Sequence, residues 1–164
     1  MLNKYTEMKK RLYVAISILF IVLLADKSVA QAEEFIRKYK YLSDSLSKEF
    51  GIPSSVILAV AIVESGSGTS KKSILLNNYF GIVGRNNLIA QKRIKTRYKQ
   101  YKSPSDSFVD FCNLQTRKKY YKLLKEEDDY RRWVLAISKA GYSERPEVWR
   151  KRILTTIKKY KLDK

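Results

Sequence analysis

Eight consecutive apolar residues, 56–63, constrain the fold more than any other segment of the sequence. A run without a polar position has no side that can face water, so other elements must cover it. Its length fits either a buried strand or a buried helix. Pro53 before the run is tolerated in a first helical turn, and Gly66 after it is typical of a helix end. We therefore predict a buried core helix.

Four other segments have the apolar spacing of helices with one buried face. One has a clear start, because Ser103 can cap it, Pro104 fits its first turn and Asp106 completes a capping box. Residues 85–102 are basic with scattered β-branched and aromatic residues, and they predict a weak β-ribbon at an edge. The predicted fold class is mainly α, with a small β excursion. The four helices are predicted at residues 32–50, 103–116, 129–140 and 146–160.

The chain has no histidine and one cysteine, and these absences exclude whole classes of enzyme. Without histidine there is no Ser-His-Asp or Cys-His hydrolase and no His-ligated zinc site. One cysteine cannot form an internal disulfide, and Cys112 lies among apolar residues, so we expect it in the core. An enzyme with this inventory relies on groups such as carboxylates and tyrosines, and carboxylate chemistry on a glycoside is the commonest such solution. We expect no metal and no cofactor.

The charge balance predicts a polyanionic partner. The 164 residues include 34 Lys and Arg against 16 Asp and Glu, a formal net charge of +18. Nucleic acid, anionic lipid and anionic cell-wall polymer all fit such a charge.

Residues 1–30 have the pattern of a secretory signal peptide. Cations near the start precede an apolar run at 12–25, and small residues follow at 28–30. The run is shorter than the roughly 20 apolar residues that span a bilayer, which favours cleavage after Ala30 over an uncleaved membrane anchor. The predicted domains are the signal peptide, 1–30, and a mature domain, 31–164. Export makes the cell wall a better candidate partner than nucleic acid.

Glu64 stands alone at the end of the apolar run, because residues 65–105 contain nine Lys or Arg and no Asp or Glu. Burial and the negative end of a helix dipole would raise the pKa of Glu64, whereas nearby cations would lower it. If burial dominates, Glu64 can donate a proton near neutral pH. The alternative is a helix-end carboxylate paired to a local lysine. The small residues that follow, Ser67 among them, would let a ligand approach the backbone closely.

Four motifs occur along the chain in a fixed order: residues 52–70, which include Glu64-Ser65-Gly66-Ser67-Gly68; residues 77–84; residues 101–108; and Ala140-Gly141-Tyr142. Together they resemble the mannosyl-glycoprotein endo-β-N-acetylglucosaminidase family, which includes the glucosaminidase domains of bacterial autolysins. The resemblance covers about residues 34–162. It implies a lysozyme-like α+β domain with a small β-lobe. It also implies cleavage of the bond between N-acetylglucosamine and N-acetylmuramic acid in peptidoglycan.

The resemblance also implies roles for individual residues. Glu64 matches the general acid of the family, and Tyr142 matches a tyrosine that lies in the cleft near the reacting sugar. The alternative for Tyr142 is a plain core aromatic. The expected substrate-binding residues are Ser67, Asn78, Phe80, Gly81 and Tyr101.

The chain departs from the family pattern in two places. Many members carry a second carboxylate in the β-lobe, but this chain has none between its general acid and Asp106, which is a helix-cap residue. We therefore expect substrate-assisted chemistry, in which the 2-acetamido group of the sugar attacks the anomeric carbon and Tyr142 helps to orient it. The second departure follows Tyr142, where the family often has an Asp-Pro pair and this chain has Arg145-Pro146. Ser143 or Glu144 would therefore have to cap the last helix.

Two rival functions remain open. A lytic transglycosylase also uses one glutamate on a lysozyme-like fold, but it leaves an anhydro product. A non-catalytic module that binds cell wall or nucleic acid could use the basic segment, where Tyr98 and Tyr101 could stack on sugars or bases. For the favoured reading we expect a monomer, periplasmic or secreted, that acts on peptidoglycan glycan strands. We expect no nucleic-acid partner and no membrane span after signal cleavage.

Overall fold

The computed structural model describes the backbone of residues 2–88 and 94–164, and the side chains of these residues apart from 2–5 and 21–26. The chain divides into two units, Met1–Glu34 and Phe35–Lys164. In the first unit the described residues are helical, and the large apolar side chains between Leu12 and Phe20 are 53–66% exposed. Within the described part of the chain, no helix is both long enough and apolar enough to cross a membrane.

The first helix is longer than the sequence predicted. Helix α1 spans Leu2–Phe50, whereas the periodicity predicted a helix over 32–50 only. No proline or glycine interrupts these residues, so the sequence contains no strong helix breaker before Gly51. The predicted cleavage point after Ala30 lies within α1, and the signal peptide stays a prediction.

The apolar run forms a helix, as predicted, and the three other helices predicted after it are present. The capping box at Ser103 is confirmed, because its side chain accepts a hydrogen bond from the N–H of Asp106 and its own N–H donates to the Asp106 carboxylate at 2.9 Å. Two short helices, of six and four residues, were not predicted because such lengths show no clear periodicity. The helices after α1 all lie in the unit Phe35–Lys164. They are α2 (Ser54–Ser65), α3 (Lys71–Leu76), α4 (Pro104–Thr116), α5 (Tyr121–Leu124), α6 (Tyr130–Lys139) and α7 (Pro146–Lys159).

Helix α2 forms the centre of the core. Nine of its 12 residues are buried, and α4, α6 and α7 pack against it. An aromatic cluster extends the core: the ring of Phe80 stacks on Phe111, with centroids 4.4 Å apart, and meets Phe108 edge-on at 4.8 Å. Cys112 is fully buried and burial raises its pKa to about 12, so the prediction that it is a core residue is confirmed.

The predicted β-ribbon is limited, among the described residues, to one antiparallel bridge between Val83 and Tyr98. The prediction over residues 85–102 was therefore wrong in extent, and its residues 89–93 lie outside the described part. The physical reason is that the side chain of Asn86 takes the place of part of the backbone hydrogen-bond ladder between the two facing segments. The Nδ2 of Asn86 donates to two carbonyl groups of the facing segment, at 2.9 and 2.8 Å.

The capping box of α4 gives a direct test of this fold. Ser103→Ala removes the side chain that accepts from the first turn, and loss of such a cap costs about 1 kcal/mol. We expect the free energy of unfolding, measured by urea denaturation, to fall by about that amount. Ser105→Ala is the matched control, because Ser105 is exposed on the same turn, and it should stay within about 0.5 kcal/mol of the parent. Equal losses in the two variants would contradict the cap.

Candidate active site

Glu64 lies in the last turn of α2, and the end of that helix fixes where its carboxyl group lies. Gly66 follows in the left-handed conformation, with φ of 60°, and its N–H closes the last turn. Ser65 stabilises the same end, because its Oγ donates to a carbonyl one turn back at 2.6 Å and accepts from the N–H of Gly68 at 2.7 Å. The carboxyl group is thus attached to the most deeply buried helix of the domain.

The carboxyl group of Glu64 is held by a tryptophan on α7. The Nε1–H of Trp149 donates to Oε1 of Glu64 at 2.7 Å, and the indole is buried. Burial raises the pKa of Glu64, while the hydrogen bond from Trp149 and the charge of Arg152 lower it, with a net shift upward. From the sequence, we expected the cations that lower this pKa to come from residues 65–105. The cation that lowers the pKa is instead on α7, a segment distant in sequence.

Tyr142 lies next to this pair, in the loop between α6 and α7. Its hydroxyl donates to the backbone carbonyl of Phe80 at 2.8 Å, and its ring centroid is 5.3 Å from that of Trp149. Burial, followed by the charge of Glu64, raises the pKa of Tyr142 well above its usual value. The hydroxyl therefore stays protonated near neutral pH, and what it offers a ligand is hydrogen bonding.

Glu64, Tyr142 and Trp149 line one open cavity of about 640 Å³. A smaller cavity, of about 160 Å³, shares Glu64, Gly81 and Tyr98 with it. The carboxyl group of Glu64 therefore lies where the two cavities adjoin. Among the described residues, no group of His, Cys, Asp and Glu side chains could hold a metal ion.

The backbone comes close to the Glu64 carboxyl group at Gly81. Its φ is 64°, which a residue with a side chain rarely adopts. A Cβ at this position would lie 3.4 Å from Oε2 of Glu64. Such a Cβ would be in van der Waals contact with the carboxyl oxygen that Trp149 does not hold, so the positive φ is the stronger reason for glycine here.

Asn78 and Phe80 shape the same loop. Asn78 is buried, and its Nδ2 donates to the backbone carbonyls of Ile82 and Lys99 at 2.9 and 2.8 Å. Phe80 is almost fully buried, and its backbone carbonyl receives the Tyr142 hydroxyl. Both residues line a cavity beside Glu64, but their polar groups are already used to hold the loop.

Two expected substrate-binding residues lie elsewhere. Neither Ser67 nor Tyr101 is among the described residues that line these two cavities. Tyr101 is buried, and its hydroxyl donates to the carboxylate of Asp110 at 2.8 Å. Ser67 occupies the tight turn after α2, with φ of 56°. The Tyr101 hydroxyl is thus engaged by α4, and Ser67 is part of the turn that ends α2, while the role of both residues in substrate binding stays a prediction.

A stripe on α7 contributes to the cavity and was not predicted. It consists of Val148, Trp149 and Arg152 of α7, together with Arg145 at the cap position before the helix. Val148 and Trp149 lie four and three positions before Arg152, which places these three residues on one face of α7. That spacing was visible in the sequence, but only the fold shows that this face meets Glu64.

Glu144 is a second carboxylate in the cavity lining. It forms an ion pair with Arg97 at 3.3 Å, and its side chain is 87% exposed. The sequence suggested that Ser143 or Glu144 would cap α7. Helix α7 in fact has no side-chain cap, and Ser143 Oγ accepts from the N–H of Arg145, the residue at the cap position.

The sequence and the fold both resemble those of known proteins. The exo-glucosaminidase LytG of Bacillus subtilis is 25% identical over 173 aligned positions, which cover 91% of this chain and 61% of LytG. The chain thus spans less than two thirds of that relative. The fold is similar to the catalytic domain of the autolysin Auto from Listeria monocytogenes, with a TM-score of 0.67 and 21% identity over 86% of this chain and 94% of that one.

A second solved structure with the same fold is the glycoside hydrolase domain of FlgJ from Salmonella typhimurium. Its TM-score is 0.61, with 22% identity over 79% of this chain and 88% of that one. Residues 27–162 match the profile of one protein family. Because this match covers most of the chain, the protein belongs to the mannosyl-glycoprotein endo-β-N-acetylglucosaminidase family.

Proposed function

We propose that the protein hydrolyses the β-1,4 bond between N-acetylglucosamine and N-acetylmuramic acid in peptidoglycan, with Glu64 as general acid. The observation that carries this proposal is the carboxyl group of Glu64, whose pKa is raised by burial and whose Oε1 is held by Trp149. Such a group holds its proton to higher pH than an exposed glutamate and can pass it to a leaving oxygen. Family membership and the net charge of +18, which suits an anionic polymer, support the proposal.

The position of Glu64 between two adjoining cavities supports cleavage within a glycan strand. A strand that is cut internally must have sugars on both sides of the general acid. The cavities that share Glu64 and Gly81 provide space in two directions from the carboxyl group. We therefore propose endo-type cleavage, although the relative LytG is named an exo-glucosaminidase.

The proposed reaction is assisted by the substrate. The carbonyl oxygen of the 2-acetamido group attacks C1 of N-acetylglucosamine, and the bond from C1 to O4 of the leaving sugar breaks as Glu64 protonates O4. Water then adds to C1, Glu64 accepts its proton, and the acetamide is released. Two displacements at C1 retain the anomeric configuration.

Tyr142 fits the task of orienting the acetamido group. A phenolic hydroxyl has one donor hydrogen and can also accept hydrogen bonds. Because the hydrogen is used on the Phe80 carbonyl, the oxygen of Tyr142 can accept from the acetamide N–H. Polarising that N–H makes the carbonyl oxygen a better nucleophile. In a mechanism with two carboxylates, Glu144 would be the second catalytic group beside Glu64, but its carboxylate is exposed and paired with Arg97.

We further propose that the protein acts in the periplasm or outside the cell, as a monomer, after removal of residues 1–30. The charged start, apolar run and small residues of that segment support export, and the proposed substrate lies outside the cytoplasm.

Two variants of the cavity carboxylates test the chemistry. Glu64→Gln should lower the release of reducing N-acetylglucosamine ends from purified peptidoglycan by about 10²-fold or more, because the proton donor is lost. Glu144→Gln should keep activity within about threefold, since general acid–base catalysis is assigned to Glu64 alone. Mass spectrometry of the released fragments and NMR of the new anomeric centre are the readouts.

Other results of the same measurement would point to other functions. Anhydro-muramic ends would identify a lytic transglycosylase, and no release would favour a wall-binding module. Loss of activity in both carboxylate variants, with inversion at C1, would replace the substrate-assisted scheme by one with two carboxylates.

The hydrogen bond from Trp149 gives a prediction about pH dependence. A general acid must be protonated, so activity falls as pH rises through its pKa. Trp149→Phe removes a donor that lowers the pKa of Glu64, so the alkaline limb of kcat should move to higher pH. We also expect kcat to fall about five- to tenfold, because Oε1 loses its anchor.

Trp133→Phe is the matched control for this variant. The Nε1–H of Trp133 also donates within the domain, to the backbone carbonyl of Glu127 at 3.1 Å. This substitution should destabilise the protein but leave the alkaline limb in place. An unmoved limb in Trp149→Phe, or the same movement in both variants, would contradict the assigned role.

A further inference from the structure

The cavity beside Glu64 has a cationic lining. Four of its side chains are basic: Arg97, Lys118, Arg145 and Arg152. Arg97 is paired with Glu144, but no ion pair in the described part of the chain includes Arg145 or Arg152. Two guanidinium groups without a carboxylate partner therefore border the reaction site.

These two arginines line the same cavity as the tryptophan that holds Glu64. They belong to the α7 stripe, with Trp149 between them, four residues after Arg145 and three before Arg152. Trp149 contacts the Glu64 carboxyl directly. The charge of Arg152 acts on the same carboxyl group, so its guanidinium lies within electrostatic reach of the proposed general acid.

The proposed substrate carries an ionisable group close to the bond that Glu64 would cleave. In muramic acid the lactyl ether is attached to O3, on the carbon next to the one that bears O4. Glu64 would protonate O4, so the lactyl substituent of the leaving sugar must lie close to Glu64. Arginine suits a carboxylate at this position, because its planar guanidinium can donate two parallel hydrogen bonds.

We propose that Arg152, assisted by Arg145, binds a carboxylate on the leaving muramic acid residue and thereby selects bonds that have an acidic substituent next to O4. This inference rests on the proposed function. The lactyl group ends in a free carboxylate where the stem peptide has been removed, and in a neutral amide where the peptide is attached. The preferred substrate would then be a glycan strand supplied by an amidase reaction, and the stem peptide's own carboxylates are the other source of the same charge.

The protein's overall positive charge requires a control for non-specific attraction. Arg150 lies on α7 as well, but it is paired with Glu147 and is not part of the lining of this cavity. Arg150→Gln removes the same charge from the same helix. Any effect that Arg152→Gln has and Arg150→Gln lacks therefore comes from the cavity.

The test measures binding in the full chain with Glu64→Gln, so that it does not depend on turnover. Three soluble tetrasaccharides of alternating N-acetylglucosamine and N-acetylmuramic acid serve as probes: one with free lactyl carboxylates, one with lactyl methylamides and one with stem peptides. Calorimetry should show that Arg152→Gln weakens binding of the free acid about tenfold, the size of a charge-assisted hydrogen bond. Arg145→Gln should weaken it less. The methylamide should bind both variants as it binds the parent, which also verifies that they fold.

Each other outcome has a definite meaning. A tenfold loss for the stem-peptide probe would identify a peptide carboxylate as a second source of the recognised charge. Equal weakening of acid and methylamide, an equal effect of Arg150→Gln, or no binding of the free acid would overturn the proposal. Failure of the proposed function is distinguishable, because it appears as no release of reducing ends by the parent protein, whatever the binding results.

Discussion

The organisation of the domain depends on the need to enclose α2. Because the run 56–63 has no polar position, water cannot cover any side of it, and α4, α6 and α7 pack around it. Glu64 directly follows this run, so its side chain is also partly removed from water. A partly buried carboxyl group needs a hydrogen-bond partner, and so does a buried indole N–H. Glu64 and Trp149 satisfy each other, so the packing of α7 on α2 also fixes the geometry of the site.

Burial and positive charge act on Glu64 in opposite directions. The chain carries a formal charge of +18, and a cationic environment favours the ionised form of a carboxyl group. The net shift of the Glu64 pKa is nevertheless upward, because desolvation is the largest influence and Arg152 the smallest of the three that act on it. Exposed cations are screened by water, whereas the loss of hydration is not. A strongly basic enzyme can therefore attract an anionic polymer and still keep a proton donor in its cleft.

Local patterns were enough to predict much of the fold. The apolar run and the periodic segments from Ser103 onward form helices with nearly the predicted bounds, and the capping box at Ser103 begins one of them. The sequence also singled out Glu64 and Tyr142, which the structure brings to one cavity. It could not reveal the bond between Glu64 and Trp149, which are 85 positions apart, since no local rule relates such residues. Tyr101 matched a motif, but its hydroxyl is engaged by Asp110, nine positions away on α4.

The absence of Asp and Glu from residues 65–105 has a structural reason as well as a chemical one. Asn77, Asn78 and Asn86 each donate from Nδ2 to two backbone carbonyls, and these bonds hold the loop after α3 against the segment that follows it. An ionised carboxylate has no hydrogen to donate, so aspartate at these positions would repel the same carbonyls. Amides thus hold this part of the cleft without adding negative charge. With no acid in residues 65–105, the loop beside Glu64 supplies no carboxylate to act as nucleophile or base, which favours a reaction whose nucleophile is the acetamido group of the substrate.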